Sequence, residues 1–389
     1  MRPVLKWALR ISLALALIAV VLGIWKREQI IRLMAVNSLF TAEKIVENFS
    51  NMNNAFLWRE MSRGDGPVTE LPIGEKAVLS QDVADWVEQR DVTALVVLKD
   101  GQIVTEDYFL GTRPEDRRIG WSIAKSFLSA SFGIAVAEGA ITDLNAPVTD
   151  YAPRLKGTAY DGVTILNVLQ MSSGVTFDED YLAFNSDINR MGRVLALGGT
   201  MDGFAASLKE VDRPAGETWE YTSIDTHVLS MVLRAATGRS LIDYMEEKLI
   251  KPMGLEADPY YITDGIGVAF ALGGINLTTR DYARMGLMFL QDGRLGDAQI
   301  VPSDWVREST LPSAKTEPGK LSYGYQWWIP VGAQEGQFMA RGIYGQYVYI
   351  DRTAGVVIAV NAADRNFRDE GVADQNVAIF RAIVRSLTQ

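Results

Sequence analysis

Residues 121–126 read Trp121-Ser122-Ile123-Ala124-Lys125-Ser126, and the interpretation of the rest of the chain depends on them. Apolar residues at helical spacing continue from this stretch to Gly139, so Ser122 is expected where a helix begins, with Lys125 one turn further along the same face. A serine hydroxyl becomes a nucleophile when a base removes its proton, and a lysine is such a base when burial lowers its pKa. The apolar neighbours of Lys125 predict that burial.

By itself this pattern is weak evidence, because a serine before a helix is commonly an N-cap and a helical lysine is commonly solvated. A second segment, residues 217–223, places Tyr221 just before another helical pattern. A tyrosine held near the serine and lysine can pass a proton to a leaving group if the lysine lowers its pKa. The alternative is an aromatic side chain that packs at a helix start.

A third segment, residues 341–346, reads Arg341-Gly342-Ile343-Tyr344-Gly345-Gln346 and leads into an apolar strand. Glycine beside a strand permits close approach of another backbone or a ligand. This edge can therefore supply a backbone N–H to an oxyanion hole, together with that of Ser122. The alternative is a strand entry with a bulge.

The composition excludes several chemistries. The 389 residues include no cysteine and one histidine, His227, and the net charge is -10. A cysteine nucleophile is excluded and a zinc site is disfavoured, so we expect no metal and no cofactor. The negative charge argues against nucleic acid as a partner. His227 is either a triad base or a packed helix residue, and no Gly-x-Ser-x-Gly elbow surrounds any serine.

The spacing of apolar residues predicts an α+β fold. Asp100-Gly101 separates two apolar runs, which predicts a β-hairpin over 94–109. Further strands are expected near the C-terminus, at 323–329, 346–350 and 355–361, before a closing helix at 373–387. Because strands occur at both ends of the domain with helices between them, we expect an antiparallel sheet built from both ends, flanked by helices, with an inserted helical region.

The N-terminal region differs from the rest. Ile11–Trp25 is uncharged and lies between basic residues, which predicts a membrane anchor or signal segment over residues 1–27. Residues 28–75 are expected to be a connector, since 62–67 contain Gly and Pro that break regular structure. The globular domain then covers 76–389. An anchor would hold it outside the cytoplasmic membrane, on the periplasmic side, and cleavage would export it.

Together these segments resemble the serine β-lactamase and penicillin-binding superfamily. That group carries a Ser-x-x-Lys helix, a Tyr-x-Asn or Ser-x-Asn element and a Lys-Thr-Gly strand in this order. Residues 165–174 (ILNVLQMSSG) and 216–254 are similar to further family segments. Within the superfamily the chain is most similar to class C-like esterases and amidases, especially the 6-aminohexanoate-dimer (nylon oligomer) hydrolases. The resemblance spans about residues 76–389 and implies a β-lactamase-like fold.

The resemblance also implies roles for individual residues. Ser122 matches the family's nucleophile, Lys125 its general base and Tyr221 its proton relay. The family's oxyanion hole implies the main-chain N–H groups of Ser122 and Gln346. The residues before Gln346 on the same edge, Ile343, Tyr344 and Gly345, are then expected to contact substrate.

The third motif departs from the family pattern, because Ile343-Tyr344-Gly345 stands where Lys-Thr-Gly would be. In the family that lysine binds a substrate carboxylate, and Arg341 on the same strand face can replace it only in part. Ser223 also replaces the usual asparagine of the second motif. The loss of the lysine favours esters or amides over β-lactams and peptidoglycan stem peptides, whereas Ser223 weakens the recognition of an amide group at the second motif. Tyr181 matches a loop tyrosine that closes over amide substrates in the nylon-oligomer enzymes.

Three functions remain open at this point. The first is a serine hydrolase that cleaves a small-molecule ester or amide through an acyl-enzyme. The second is a peptidoglycan-directed or β-lactam-acylated protein, and the third is a non-catalytic, membrane-tethered binding protein. The joint presence of Ser122, Lys125 and Tyr221 argues against the third, because binding alone does not require that set. The oligomeric state is not determined by the sequence.

Overall fold

The computed structural model describes residues 2–181 and 183–388. Its helices are α1 (Arg2–Trp25), α2 (Arg27–Asn37), α3 (Ile45–Ser50), α4 (Gln81–Gln89), α5 (Ile123–Ala137), α6 (Val148–Tyr151), α7 (Ile165–Leu169), α8 (Asp187–Ala196), α9 (Met201–Ser207), α10 (Ser223–Thr237), α11 (Leu241–Met245), α12 (Lys251–Met253), α13 (Thr279–Leu290), α14 (Ser303–Ser309) and α15 (Val372–Ser386). Its strands are β1 (Leu57–Glu60), β2 (Val92–Lys99), β3 (Gln102–Tyr108), β4 (Arg118–Ile119), β5 (Tyr260–Thr263), β6 (Ile275–Leu277), β7 (Arg294–Leu295), β8 (Ala298–Gln299), β9 (Ser322–Tyr323), β10 (Trp328–Ile329), β11 (Gln337–Gly342), β12 (Gln346–Asp351) and β13 (Val356–Ala362).

The central sheet joins both ends of the domain, as the sequence predicts. Its strand order is β3-β2-β13-β12-β11-β10-β9, and each neighbouring pair is antiparallel. The expected hairpin is present as β2 and β3, and β2 pairs with the C-terminal β13, where Val97 lies opposite Ile358. The α+β fold with a sheet built from both ends is therefore confirmed.

Alternation along β2 separates two apolar cores. Val96 and Leu98 belong to the larger core, whereas Leu95 and Val97 belong to a second core on the opposite face. The second core is covered by α4 and α15, which contribute Trp86 and other apolar side chains. Because side chains of a strand point alternately to the two faces, one buried strand serves both layers. The larger core contains side chains of α5, α10 and α13, and through them the inserted helical region packs against the sheet.

The segment 28–75, for which the sequence predicts a connector, packs against the domain. Phe49, Met52 and Met61 within it are fully buried in the larger core. Strand β1 pairs antiparallel with β5 in a second sheet of order β1-β5-β6-β4. Burial of these side chains stabilises the attachment at about 25 cal/mol for each Å² of apolar surface removed from water. The packed part of the chain thus begins well before residue 76.

Helix α1 precedes this packed segment and stands apart from the core. Within it, Lys6–Trp25 forms a run of 20 residues with a mean hydropathy of 2.3, and none of that run is buried. In the part of the chain that the structure describes, this is the one helix long and apolar enough to cross a membrane. One residue, Lys26, separates it from α2.

Candidate active site

Ser122 lies where α5 begins, in a backbone conformation that exposes its hydroxyl to a neighbouring amine. Trp121, the residue before it, has a φ of +45°, which is uncommon for a non-glycine residue. Ser122 holds the N-cap position, yet its side chain makes no capping hydrogen bond. Its Oγ instead lies 3.1 Å from the Nζ of Lys125. The position is that of an N-cap, but the hydroxyl is paired with the lysine.

Lys125 is buried, with 1% of its surface exposed. Among the described residues, no carboxylate lies within ion-pair distance of its Nζ. Its Nζ donates to the carbonyl oxygen of Leu272 at 2.8 Å, in addition to its contact with Ser122. Burial lowers the pKa of Lys125 to about 7, although the carboxyl groups of Glu179 and Asp225 act in the opposite direction. An amine with this pKa is neutral in a large fraction of molecules near pH 7, so it can accept the proton of the serine.

Tyr221 is half-buried and lies beside the serine and the lysine. The Nζ of Lys125 lies 5.2 Å from the centroid of its ring, and the ring packs on that of Trp328 with centroids 5.0 Å apart. Burial raises the pKa of Tyr221 above its ordinary value, and hydrogen bonds with Ser122 and Ser223 offset only part of that effect. The relay role was predicted on the condition that the lysine lowers this pKa. The structure instead keeps the phenol protonated at neutral pH, as a proton donor.

The sequence analysis missed two carboxyl groups that act on Lys125, the half-buried Glu179 and the fully buried Asp225. Glu179 accepts the backbone N–H of Ser223 and, at 3.0 Å, the hydroxyl of Tyr181. Burial raises the pKa of Glu179, and the positive charge of Lys125 opposes this increase. Asp225 accepts the hydroxyl of Tyr160 at 2.7 Å, and burial raises its pKa to about 7. Neither residue belongs to a motif, and Glu179 lies in an irregular loop, so their spacing gave no signal.

The third segment approaches Ser122 through Gly342. A Cβ atom at Gly342 would lie 2.3 Å from the carbonyl oxygen of Gly120 and 3.2 Å from the backbone nitrogen of Ser122. Only glycine permits this contact between the end of β11 and the start of α5. Among the hydrogen bonds of the described residues, neither the N–H of Ser122 nor that of Ile343 has an acceptor. Both N–H groups are therefore available as donors near the start of α5.

Gln346, for which the sequence predicts an oxyanion-hole N–H, has a structural role for its side chain. Gln346 is fully buried, and its side-chain amide donates to the carbonyl oxygens of Tyr344 and Ala362 at 2.9 and 2.7 Å. Gly345 next to it has a φ of +83°, and a Cβ there would lie 2.9 Å from the Cβ of Ala362. Both residues hold the turn between β11 and β12 in place. The close approach to Ser122 is made by Gly342, four residues before Gln346.

A cavity of about 420 Å³ opens beside Ser122. Ile343, Tyr344 and Tyr181 line it, as the sequence analysis predicts for substrate contacts, and so does Ser223. The other lining residues are largely apolar and come from α8, from the loop at 270–273 and from residues 36–56. The volume lies in the range of pockets that bind small organic molecules.

Two further residues named from the sequence have other surroundings. His227 is fully buried, and its Nε2 pairs with Asp202 at 2.8 Å. Asp202 also accepts a hydrogen bond from Arg234. Burial lowers the pKa of His227, and the packed-helix interpretation fits this position. Arg341 places its guanidinium group 5.4 Å from the centre of the Trp328 ring. In residues 2–181 and 183–388, no group of three His, Cys, Asp or Glu side chains is placed to hold a metal ion.

Comparisons with known proteins agree with this fold. Residues 80–382 match the family model described as Beta-lactamase. The chain is 30% identical over 334 residues to the 6-aminohexanoate-dimer hydrolase of Paenarthrobacter ureafaciens, which covers 81% of this chain and 84% of that protein.

Solved structures support the same fold. One from Bacillus anthracis, provisionally named a 6-aminohexanoate-dimer hydrolase, is 24% identical with a TM-score of 0.80, over 90% of this chain and 96% of that one. A penicillin binding protein from Bacillus halodurans is 17% identical with a TM-score of 0.61, over 77% of this chain and 99% of that one.

The fold and the match over most of the chain define a serine hydrolase of the amidase and esterase type. The chain belongs to the β-lactamase family, and it is similar in sequence to the 6-aminohexanoate-dimer hydrolase.

Proposed function

We propose that the protein cleaves ester or amide bonds through an acyl-enzyme on Ser122, with Lys125 as general base. The observation that carries the proposal is the 3.1 Å contact between Ser122 Oγ and a buried lysine Nζ whose pKa lies near 7. The neutral amine takes the serine proton as Oγ attacks the substrate carbonyl, and a C–O bond to the serine forms. This step needs no metal and no cofactor.

The tetrahedral intermediate carries a negative oxygen that must be stabilised. The unpaired N–H groups of Ser122 and Ile343 are the donors we assign to it, because Gly342 brings the two backbones together. Each such donor contributes a factor of about 10² to 10³ to the rate in enzymes of this kind. Ile343 thus takes the role that the family resemblance implied for Gln346.

Tyr221 is assigned to the leaving group. Its phenol keeps its proton at neutral pH because burial raises its pKa, so it can donate that proton as the alcohol or amine departs. It then regains a proton from the water that hydrolyses the acyl-enzyme. Glu179 is a positioning residue in this scheme, since it holds Ser223 and Tyr181 and its charge acts on Lys125.

The substrate class follows from the third motif and from the relatives. Ile343 cannot bind a carboxylate as the family's lysine does, and Arg341 is stacked over an aromatic ring. This favours esters or amides over β-lactams and stem peptides, in agreement with a relative named 6-aminohexanoate-dimer hydrolase. We further propose that α1 anchors the protein, with its hydrolase domain on the periplasmic side of the cytoplasmic membrane.

Labelling with a fluorophosphonate probe tests the nucleophile and the base. We expect the wild type to be labelled, and both Ser122→Ala and Lys125→Ala to lose at least about 10³-fold in turnover of ester substrates. Ser207→Ala and Lys209→Ala, which change the same residue types elsewhere on the surface, serve as controls. Full labelling of Ser122→Ala would remove the mechanism. Stoichiometric acylation by a penicillin, read by intact mass, would favour the β-lactam alternative, and no turnover of any ester or amide would leave a binding protein.

A further inference from the structure

One wall of the cavity beside Ser122 comes from the segment that follows the apolar N-terminal helix. Val36 at the end of α2 lines the cavity, as do Leu39 and Phe40 in the turn after it. Phe40 stacks on Tyr344, with ring centroids 4.8 Å apart and 12° between the planes. It also lies 5.9 Å from the ring of Trp121. The N-terminal segment is therefore part of the substrate cavity as well as a tether.

The length of α2 limits how far this cavity can lie from a membrane. Helix α1 ends at Trp25, and α2 continues from Arg27. A helix rises 1.5 Å per residue, so Val36 is no more than about 16 Å from Trp25. The headgroup layer occupies roughly 5 to 8 Å on each side of a bilayer. With α1 in the membrane, the cavity wall formed by Val36 lies within about 12 Å of the headgroup surface.

The surface around the cavity has the composition of a membrane interface. Phe184, which lines the cavity, is 73% exposed, and Met34 on α2 is 67% exposed. The guanidinium group of Arg193 lies 4.1 Å from the centre of the Phe184 ring, and no carboxylate pairs with it in the described part of the chain. Exposed aromatic and aliphatic side chains beside an unpaired cation match the boundary between acyl chains and anionic headgroups.

The positions of the proposed catalytic groups assign the cavity to one side of the scissile bond. Ile343, beside the oxyanion, lines the cavity. Tyr221, which is assigned to the leaving group, is not among the described residues that line it. A chain in the cavity therefore belongs to the acyl part of the substrate, and the leaving group lies towards Tyr221.

We infer that the substrate is a membrane-resident amphiphile, an ester or amide whose apolar acyl chain enters the cavity directly from the bilayer. The inference rests on the proposed function. Transfer forms the Ser122 Oγ–acyl bond, breaks the ester C–O or amide C–N bond and gives the leaving alcohol or amine a proton. Water then releases a fatty or aromatic carboxylic acid and restores the serine.

Chain length is the first test. The full chain, reconstituted in phosphatidylcholine vesicles, is assayed with 4-methylumbelliferyl acetate and octanoate. We expect kcat/KM to be at least tenfold higher for the octanoate, because each buried methylene group adds to binding. Equal values for the two esters would overturn the inference while leaving the proposed function intact. Hydrolysis of neither ester, together with no fluorophosphonate labelling, would mean that the proposed function itself is wrong.

Delivery from the membrane is the second test. 4-Methylumbelliferyl palmitate is placed either in the vesicles that carry the protein or in separate vesicles of the same phosphatidylcholine. We expect initial hydrolysis to be at least tenfold faster when protein and substrate share a bilayer. Equal rates would show that the substrate reaches the site through water, and the inference would fail.

A pair of matched variants tests the wall formed by α2. Val36→Asp introduces a charge into the cavity, whereas Val331→Asp makes the same change at a site 46% exposed and outside the cavity. We expect the octanoate-to-acetate ratio of kcat/KM to fall at least fivefold in Val36→Asp and to stay at the wild-type value in Val331→Asp. An unchanged ratio in both variants would contradict a role of α2 in binding the chain.

Discussion

The protonation state of Lys125 determines how the rate of hydrolysis changes with pH. Only its neutral form can take the serine proton, so activity should be present above the pKa of this amine and be lost as pH falls through it. Burial lowers that pKa from 10.5 to about 7. A lysine with the ordinary pKa would be neutral on the order of 1000-fold less often at pH 7. The structure therefore predicts an enzyme that is active at neutral pH rather than only in strong base.

The assay is a profile of kcat/KM for a neutral ester between pH 5 and 9, since this parameter reports the ionisation of the free enzyme. With a pKa of about 7, activity at pH 5 should be about 100-fold below the plateau, with a slope of one on logarithmic axes. A profile that stays flat down to pH 5 would refute Lys125 as the base. A profile that still rises tenfold per pH unit at pH 9 would refute the effect of burial.

Replacement of Glu179 tests whether its carboxylate raises the pKa of Lys125. Its carboxylate raises the pKa of Lys125 against the effect of burial, so Glu179→Gln should move the acid limb of the profile to lower pH. Glu217→Gln removes a carboxylate from an exposed position, where solvent screens its charge, and should leave the limb in place. Movement of the limb to higher pH in Glu179→Gln would contradict this electrostatic account.

Two further changes test the other groups of the site. Tyr221→Phe should lower kcat by about 100-fold or more with a smaller change in KM, because the leaving group loses its proton donor; wild-type kcat in steady-state assays would exclude the phenol from the reaction. Gly342→Ala places a methyl group 2.3 Å from a carbonyl oxygen of Gly120, so it should displace the Ile343 N–H and lower kcat by about 100-fold. Thermal melts would show whether it still folds, and full activity would contradict the close approach of the two backbones.

Local patterns predicted the fold because they depend on neighbours in sequence. The Asp100-Gly101 turn fixes the β2–β3 hairpin, and the helical period after Ser122 fixes α5. Residues 28–75 were predicted to be a connector, because Gly and Pro at 62–67 interrupt the pattern of apolar residues on either side of them. Phe49 packs on Trp121 and Tyr344, and Met61 donates its backbone N–H to Pro259, and no local period reveals partners this distant in the chain.

The same distinction applies to the site. The pairing of Ser122 with Lys125 follows from helix geometry, so sequence spacing was sufficient to predict it. Glu179 reaches the pair through a loop that folds over it, and this depends on the tertiary structure. The resemblance implied Gln346 as the oxyanion donor, whereas we propose Ile343, because a motif gives residue types in order and the contact depends on which glycine allows two backbones to meet.

Replacement of Phe40 tests whether the N-terminal segment contributes to the burial of Lys125. Burial lowers the pKa of Lys125 to about 7, and Phe40 lines the cavity beside Ser122, where its ring packs on Trp121 and Tyr344. Phe40→Ala should admit water, weaken the effect of burial and move the acid limb of kcat/KM towards the ordinary lysine pKa, hence to higher pH. Phe109→Ala, a partly buried site in the second core, should leave the limb unchanged. If Phe40→Ala keeps the wild-type limb, the segment after the membrane helix shapes the cavity without controlling the base.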